Sequence, residues 1–176
     1  MAFYSLALEI IWMNKVSEIV RHISRNVKIE NDVKIWHFTY IGDDTEIGDG
    51  TKIGSLVHVD YGVKIGRNCK IEGMAYIPPL TVIGDGVFVG PGVIFTNDPS
   101  PESPRMVGVQ VEPGAIICAG AVLKAGVRVG ARSVVGMGAV VTRDVTPESV
   151  VFGNPARVRY PLSEYLEKKR GWEEEG

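Results

Sequence analysis

Between Val27 and Phe95 a branched or large apolar residue returns at every sixth position without a slip: Ile29, Ile35, Ile41, Ile47, Ile53, Val59, Ile65, Ile71, Ile77, Ile83, Val89 and Phe95. Two residues ahead of each stands a smaller or β-branched residue, from Val27, Val33 and Thr39 through Cys69 and Ala75 to Val87 and Val93. A glycine often follows, as at Gly42, Gly48, Gly54, Gly66, Gly84 and Gly90. A period of six fits neither the roughly 3.6-residue repeat of an amphipathic helix nor a hairpin meander. In a strand, residues i−2 and i face the same side, so each pair can point into one core. The glycine beyond it lets the chain turn where a Cβ would obstruct. Three such strands close a triangular turn of 18 residues. Stacking the turns about 4.8 Å apart pairs the backbone of each with its neighbour. The pattern predicts an all-β solenoid, a parallel β-helix.

After Phe95 the period breaks at Thr96-Asn97-Asp98-Pro99-Ser100-Pro101 and resumes with Val109 and Val111, ten residues later than the repeat requires. A proline-rich excursion over 96–108 must lie on the surface, where loops carry binding residues. Six more inward pairs follow, Val109/Val111 to Ala139/Val141, so that eighteen hexads make about six coils over 27–145. Ala and Gly are dense here, at Ala119, Gly120, Ala125, Gly126, Gly136 and Gly138, leaving the backbone open to close approach.

The flanks differ. Residues 1–24 read as an apolar helix within an N-terminal unit 1–26, suited to cover the open end of the stack. Residues 146–176 form a C-terminal extension, in which Ser163 is placed to N-cap a short helix, Glu164 to Arg170, with the chain fraying from Trp172. The apolar N-terminus has no basic leader segment and contains Glu9, which argues against a signal peptide. It is too short to span a bilayer.

Residues 18 apart stack into columns, and two columns stand out on the outer faces: Tyr40, His58, Tyr76 and Ile94, and Lys34, Lys52, Lys70 and Phe88. The first suits a subunit interface or a platform for a ring-bearing substrate. Net charge is −2 with scattered basic residues, so nucleic acid is not an expected partner. The two cysteines, Cys69 and Cys118, form no disulfide framework, and a reducing, cytoplasmic setting follows.

The hexads, together with Val135-Gly136-Met137-Gly138-Ala139-Val140-Val141-Thr142-Arg143-Asp144-Val145 and Gly153-Asn154-Pro155-Ala156-Arg157, resemble the hexapeptide-repeat acyltransferases. Ile35-Trp36-His37-Phe38, the run into Phe95-Thr96-Asn97-Asp98 and the position of the excursion are similar to the N-acetyltransferases of nucleotide-linked 3-amino sugars in surface-polysaccharide synthesis. The resemblance implies a left-handed helix, a homotrimer, acetyl-CoA as co-substrate in the groove between neighbouring β-helices, and a UDP- or dTDP-amino sugar as acceptor. General rules would have given the opposite hand. By motif it puts CoA contacts on Gly120, Gly138, Ala139, Asn154, Pro155 and Arg157, phosphate contacts on Lys124 and Arg143, and acceptor contacts on His37, Tyr76, Asn97 and Asp98.

Acyl transfer from a thioester needs a neutral amine, donors for the developing oxyanion and positioning, with no metal. An amine with a pKa of roughly 7.7–8.0 is partly neutral near pH 7, which makes a strong base optional. Where the amino-sugar enzymes often carry Gln-Asn-Asn, this chain has Glu72-Gly73-Met74. Glu72 is therefore a candidate general base, beside His58 or Tyr76. An Asx turn that opens the excursion is the structural alternative for Asn97 and Asp98.

Three other readings compete. A hydroxyl acceptor would need an activating histidine, for which His37 and His58 are the repeat candidates. A zinc hydrolyase of this fold would need three histidine ligands; His22 lies outside the repeats as counted, and His37 and His58 do not share a column. A non-catalytic scaffold would have no use for the Gly-Asn-Pro-Ala-Arg exit.

Overall fold

The inward pairs do what the pleat demands. In a computed structural model that describes residues 20–175, every aliphatic hexad position from Ile35 to Val141 is buried. The strands are mostly two residues long and form three parallel sheets, one per side of a triangular solenoid. The first face has seven strands, from Arg21–Ile23 through His58–Val59 and Tyr76–Ile77 to Val140–Val141. The second has six, from Lys28–Ile29 to Arg128–Val129. The third has eight, from Lys34–Ile35 to an antiparallel pair, Ser149–Phe152 and Arg157–Pro161. The architecture is the expected β-helix, consistent with a left-handed one.

It has about seven turns, not six. Arg21–Ile23 pairs in register with Thr39–Ile41, so Ile23 extends the aliphatic series backward by one hexad. Residues 20–24 are therefore not helical, and the rest of the expected helix, over 1–19, lies outside the described residues. At the other end Val145 bridges to Val129, and Val150 pairs with Val134. Both offsets are 16 residues, and this two-residue contraction hides the last turn from the periodicity. Across the excursion the offset is 28, as Val82 facing Gln110 and Phe88 facing Ile116 demonstrate, so the loop adds ten residues without disturbing the stack.

The repeat glycines have a different duty from the one expected. Positive φ falls two residues after them, at Asp44, Gly50 and Leu56, for example. At Gly42 a Cβ would lie 2.5 Å from the Tyr61 backbone nitrogen, and at Gly54 2.8 Å from that of Gly73. These glycines let coils approach each other; other residues make the bend.

The C-terminal helix runs from Leu162 to Glu174, longer than expected at both ends, and Pro161 rather than Ser163 occupies its N-cap position. Its start is set by packing: buried Leu162 joins Val134 and Val150, flanked by Ile116, Tyr160 and Tyr165, in a small second core outside the third face. No described helix is long and apolar enough to cross a membrane.

Candidate active site

Every turn of the solenoid has three corners, and the residues at each are chemically distinct. Where the second face turns into the third, several corner N–H groups are capped by carboxylates from an adjacent coil. Asn31 donates to Asp49 Oδ1 at 2.8 Å, Arg67 to Asp85 Oδ1 at 2.8 Å and Ala131 to Glu112 Oε2 at 2.8 Å. The Arg67 N–H, then its guanidinium, hold the Asp85 carboxyl below the usual range. A hollow of about 540 Å³ lies beside this corner, but most of its charges pair with one another, as Lys28 with Glu46 and Arg67 with Asp85.

The corner between the third and first faces is the opposite case. Its left-handed position is filled in successive coils by Phe38, Leu56, Met74, Gly92, Gly120 and Gly138, all with φ between 57° and 67°. In the lower half bulky side chains stand out into solvent, with Phe38, Leu56 and Met74 exposed by 64%, 56% and 61%. A left-handed φ costs such residues roughly 1–2 kcal/mol each. In the upper half there is bare backbone, and a Cβ on Gly92, Gly120 or Gly138 would meet nothing within 4 Å. One residue earlier in each coil, the N–H groups of Ser55, Gly73, Ala119 and Met137 have no acceptor among the described residues. This edge thus offers unpaired donors above a ridge of apolar side chains.

Four of the predicted residues line this edge. Gly120 and Gly138 form the bare column. His37 lies below Ser55 at the same corner, its carbonyl accepting from Leu56 at 3.0 Å. Glu72 projects beside a groove of about 350 Å³ that Trp36, Lys52, Ser55 and Lys70 also line. Lys70 Nζ reaches its carboxylate at 2.7 Å. Ala139, next to Gly138, is buried in the core, so its side chain contributes packing.

His58 and Tyr76 stand on the first face just beyond the corner. The ladder they belong to begins one coil earlier than expected, with His22. Ring centroids are 5.1 Å apart from His22 to Tyr40, 4.7 Å from Tyr40 to His58 and 5.5 Å from His58 to Tyr76. Burial, then the nearby Asp60 charge, raise the Tyr76 phenol above its ordinary value, which keeps it a proton donor.

The remaining residues sit across the first face. Lys124 and Arg143 lie at its far corner, where the Lys124 N–H donates to Val141. Arg143 and Arg157 line a hollow of about 140 Å³. The turn holding Asn154 and Pro155 closes the end of the first face, since Val140 donates to the Gly153 carbonyl and accepts from Ala156. Asp98 organises the excursion: Ser100 and Ser103 donate to its two carboxylate oxygens at 2.9 and 3.0 Å, and Asn97 accepts from Val107 at 2.8 Å. The chain therefore spreads the predicted residues over both edges of one face. Among the described residues no three His, Cys, Asp or Glu side chains are grouped to hold a metal.

Backbone donors from the Gly- and Ala-rich coils were expected from the sequence, whereas the strained apolar ridge was missed. The signal for the ridge was available, because Phe38, Leu56, Met74 and Gly92 are 18 residues apart.

Comparison with known proteins agrees with the repeat fold. Residues 26–97 match, in three overlapping windows, the model described as bacterial transferase hexapeptide (six repeats). Residues 121–143 match a hexapeptide repeat of succinyl-transferase, and together these span more than half of the chain. A hexapeptide-repeat-containing acetyltransferase of Vibrio cholerae O1 biovar eltor, solved in complex with acetyl coenzyme A, superposes with a TM-score of 0.54. It is 28% identical, over 69% of this chain and 70% of that one. WeeI from Acinetobacter baumannii AYE superposes with a TM-score of 0.62 at 32% identity, over 71% of this chain and 57% of that one. A 2,3,4,5-tetrahydropyridine-2,6-dicarboxylate N-acetyltransferase of Staphylococcus aureus is 42% identical over 69 residues, which are 39% of this chain but only 29% of that protein's length.

Proposed function

Because the chain belongs to the hexapeptide-repeat transferases, we propose that it transfers the acetyl group of acetyl-CoA to the amine of a nucleotide-linked amino sugar. The observation that carries this reading is the corner running from Phe38, Leu56 and Met74 to Gly92, Gly120 and Gly138. The bare upper half accommodates an extended thioester arm, whose amides and developing oxyanion need the N–H donors that Ala119 and Met137 leave unpaired. The fit to CoA is also supported by the acetyl coenzyme A bound to the Vibrio cholerae protein.

In this reading the neutral amine attacks the thioester carbonyl, and a C–N bond forms. The tetrahedral oxyanion accepts from the corner N–H groups and then collapses, with the C–S bond breaking and CoA leaving as thiol. Glu72 takes the proton lost from nitrogen and passes it to the departing sulfur, so that CoA leaves as the thiol. An amine is favoured over a hydroxyl by the state of His58. Its ring packs between Tyr40 and Tyr76, and among the described residues nothing hydrogen-bonds it into the orientation of a base. The Staphylococcus aureus relative is likewise named an N-acetyltransferase.

The reading includes a homotrimer. The exposed Phe38-Leu56-Met74 ridge would pack against a neighbouring copy, which explains why bulky residues are kept in a costly conformation and encloses the adjacent edge. A cytoplasmic setting suits the free thiols Cys69 and Cys118.

The test is thiol release from acetyl-CoA with a panel of UDP- and dTDP-3-amino sugars, preceded by calorimetric titration with CoA. CoA binding together with turnover on an amino sugar is expected. Absence of both would end the transferase reading, and turnover only on hydroxyl acceptors would replace the amine.

A further inference from the structure

The third face carries a feature that acyl transfer leaves unused. Lys34, Lys52 and Lys70 stack in register on adjacent strands. Like charges directly opposed across a sheet repel, and nothing in the β-helix repeat requires lysine at these outward positions. Lys70 has Glu72 at 2.7 Å and lies over the Phe88 ring, 5.7 Å from its centroid. Lys34 and Lys52 have no carboxylate partner among the described residues. Elsewhere the coils alternate charge, as in Lys28, Glu46 and Lys64 on the second face, where Lys28 and Glu46 pair at 3.3 Å. The chain as a whole has a net charge of −2. The lysine column is thus a local excess of positive charge on an acidic protein.

Trp36 stands at the edge of this column between two hollows of about 350 Å³ each. One is lined by Lys52, Lys70, Ser55 and Glu72, the other by Arg21 and Lys34. Its indole is partly exposed and lies one position before His37 and two before Phe38, at the donor-rich corner. A column of ammonium groups beside an accessible aromatic face calls for a ligand with a multiply charged anion and a flat ring.

We infer that Lys34, Lys52 and Lys70 with Trp36 form the binding site for a nucleoside diphosphate, with the phosphates along the lysine column and the base against the indole. This deepens the acetyltransferase reading and rests on it for the role of the ligand, the carrier half of the acceptor. A nucleotide seated here would present its sugar towards Glu72, which lines the same groove as Lys52 and Lys70.

The experiment is calorimetry on the full chain with UDP, dTDP, pyrophosphate and CoA, at low and high salt. The nucleoside diphosphates are expected to bind more tightly than pyrophosphate, and both to weaken with salt. Lys52→Ala should weaken both by about tenfold, the loss of one charged hydrogen bond. Trp36→Ala should weaken only the nucleoside diphosphates, with Trp36→Phe restoring much of the loss, while CoA affinity stays unchanged in all three variants. The inference falls if CoA binds but neither UDP nor dTDP does, or if they bind and Lys34→Ala and Lys52→Ala leave their affinity unchanged. It also falls if pyrophosphate binds as tightly as the nucleotides, since the ring then has no site. Loss of CoA binding and turnover with nucleotide binding intact would instead overturn the transferase reading and leave this site standing.

Discussion

Met74 and Gly92 occupy the same corner of consecutive coils with nearly the same left-handed backbone, φ 62° and 66°, yet one projects a thioether into solvent and the other projects nothing. The backbone demand is identical, so the choice of side chain reflects what must lie against each position. The coil boundary between them divides the corner into an apolar half and a bare half.

Filling the bare half should impair CoA binding. Gly120→Val and Gly138→Val each put a side chain into the open space above the donors and impose a left-handed cost of roughly 1–2 kcal/mol. The expected result is a modest fall in melting temperature with CoA affinity reduced at least tenfold by calorimetry. The same substitution at Gly86, left-handed and equally open at the polar corner, should lower the melting temperature without changing CoA affinity.

Stripping the apolar half should act on assembly. Leu56→Gly combined with Met74→Gly removes two strained, exposed side chains and leaves the core intact. Sedimentation velocity is expected to show a trimer for the parent chain and monomers for the variant, with unchanged far-ultraviolet circular dichroism.

Glu72→Gln preserves shape and removes the base. If Glu72 takes the amine proton, kcat should drop by about 10² or more at pH 7, with KM for acetyl-CoA unaltered. Both proteins should gain rate as pH rises and more amine is neutral, with the deficit persisting, because Glu72 acts after attack. A loss confined to KM would assign Glu72 to positioning through its contact with Lys70.

Threonines at the inward small positions donate to the carbonyl fifteen residues on: Thr39 to Gly54, Thr45 to Asp60 and Thr51 to Gly66, at 2.8–2.9 Å. Thr81 does not, because the excursion displaces the chain that would supply the acceptor, and its buried hydroxyl has no partner among the described residues. Thr45→Val should therefore cost about 1 kcal/mol, whereas Thr81→Val should be neutral or stabilising. Denaturant melts of the two variants test the contrast.

Acid should weaken the fold through its corner carboxylates. Backbone N–H donors, first Arg25 for Asp43, Arg67 for Asp85 and Ala131 for Glu112, depress these three groups below their ordinary values. A group depressed in the folded state contributes stability above its unfolded pKa, and that contribution is lost as pH falls through the folded one. Asp85→Asn should consequently be less stable than the parent at pH 7. The gap should close as the pH drops below about 4, as read from melting temperatures across an acid series.

How much of this was legible in the sequence depends on the range of the interaction concerned. Alternation within a hexad is local, and a core only two side chains deep admits few residues, so Ile41, Cys69 and Val93 could be assigned inward from spacing alone, and all three are buried. The Thr96 excursion was equally plain, because ten residues out of phase admit no other placement in a regular stack. The seventh turn was not, since its pairing of Val150 with Val134 depends on a coil two residues short. Nor was the purpose of the repeat glycines. Gly42 and Gly54 are constrained by atoms of the next coil, 18 and more residues away, and only the closed stack brings these together. The candidate edge divides in the same way. Sequence singled out Glu72, Gly120 and Gly138 as candidates one by one, but only the tertiary structure brings them to one corner, beside the N–H groups of Ser55, Gly73, Ala119 and Met137 that the neighbouring coil leaves open.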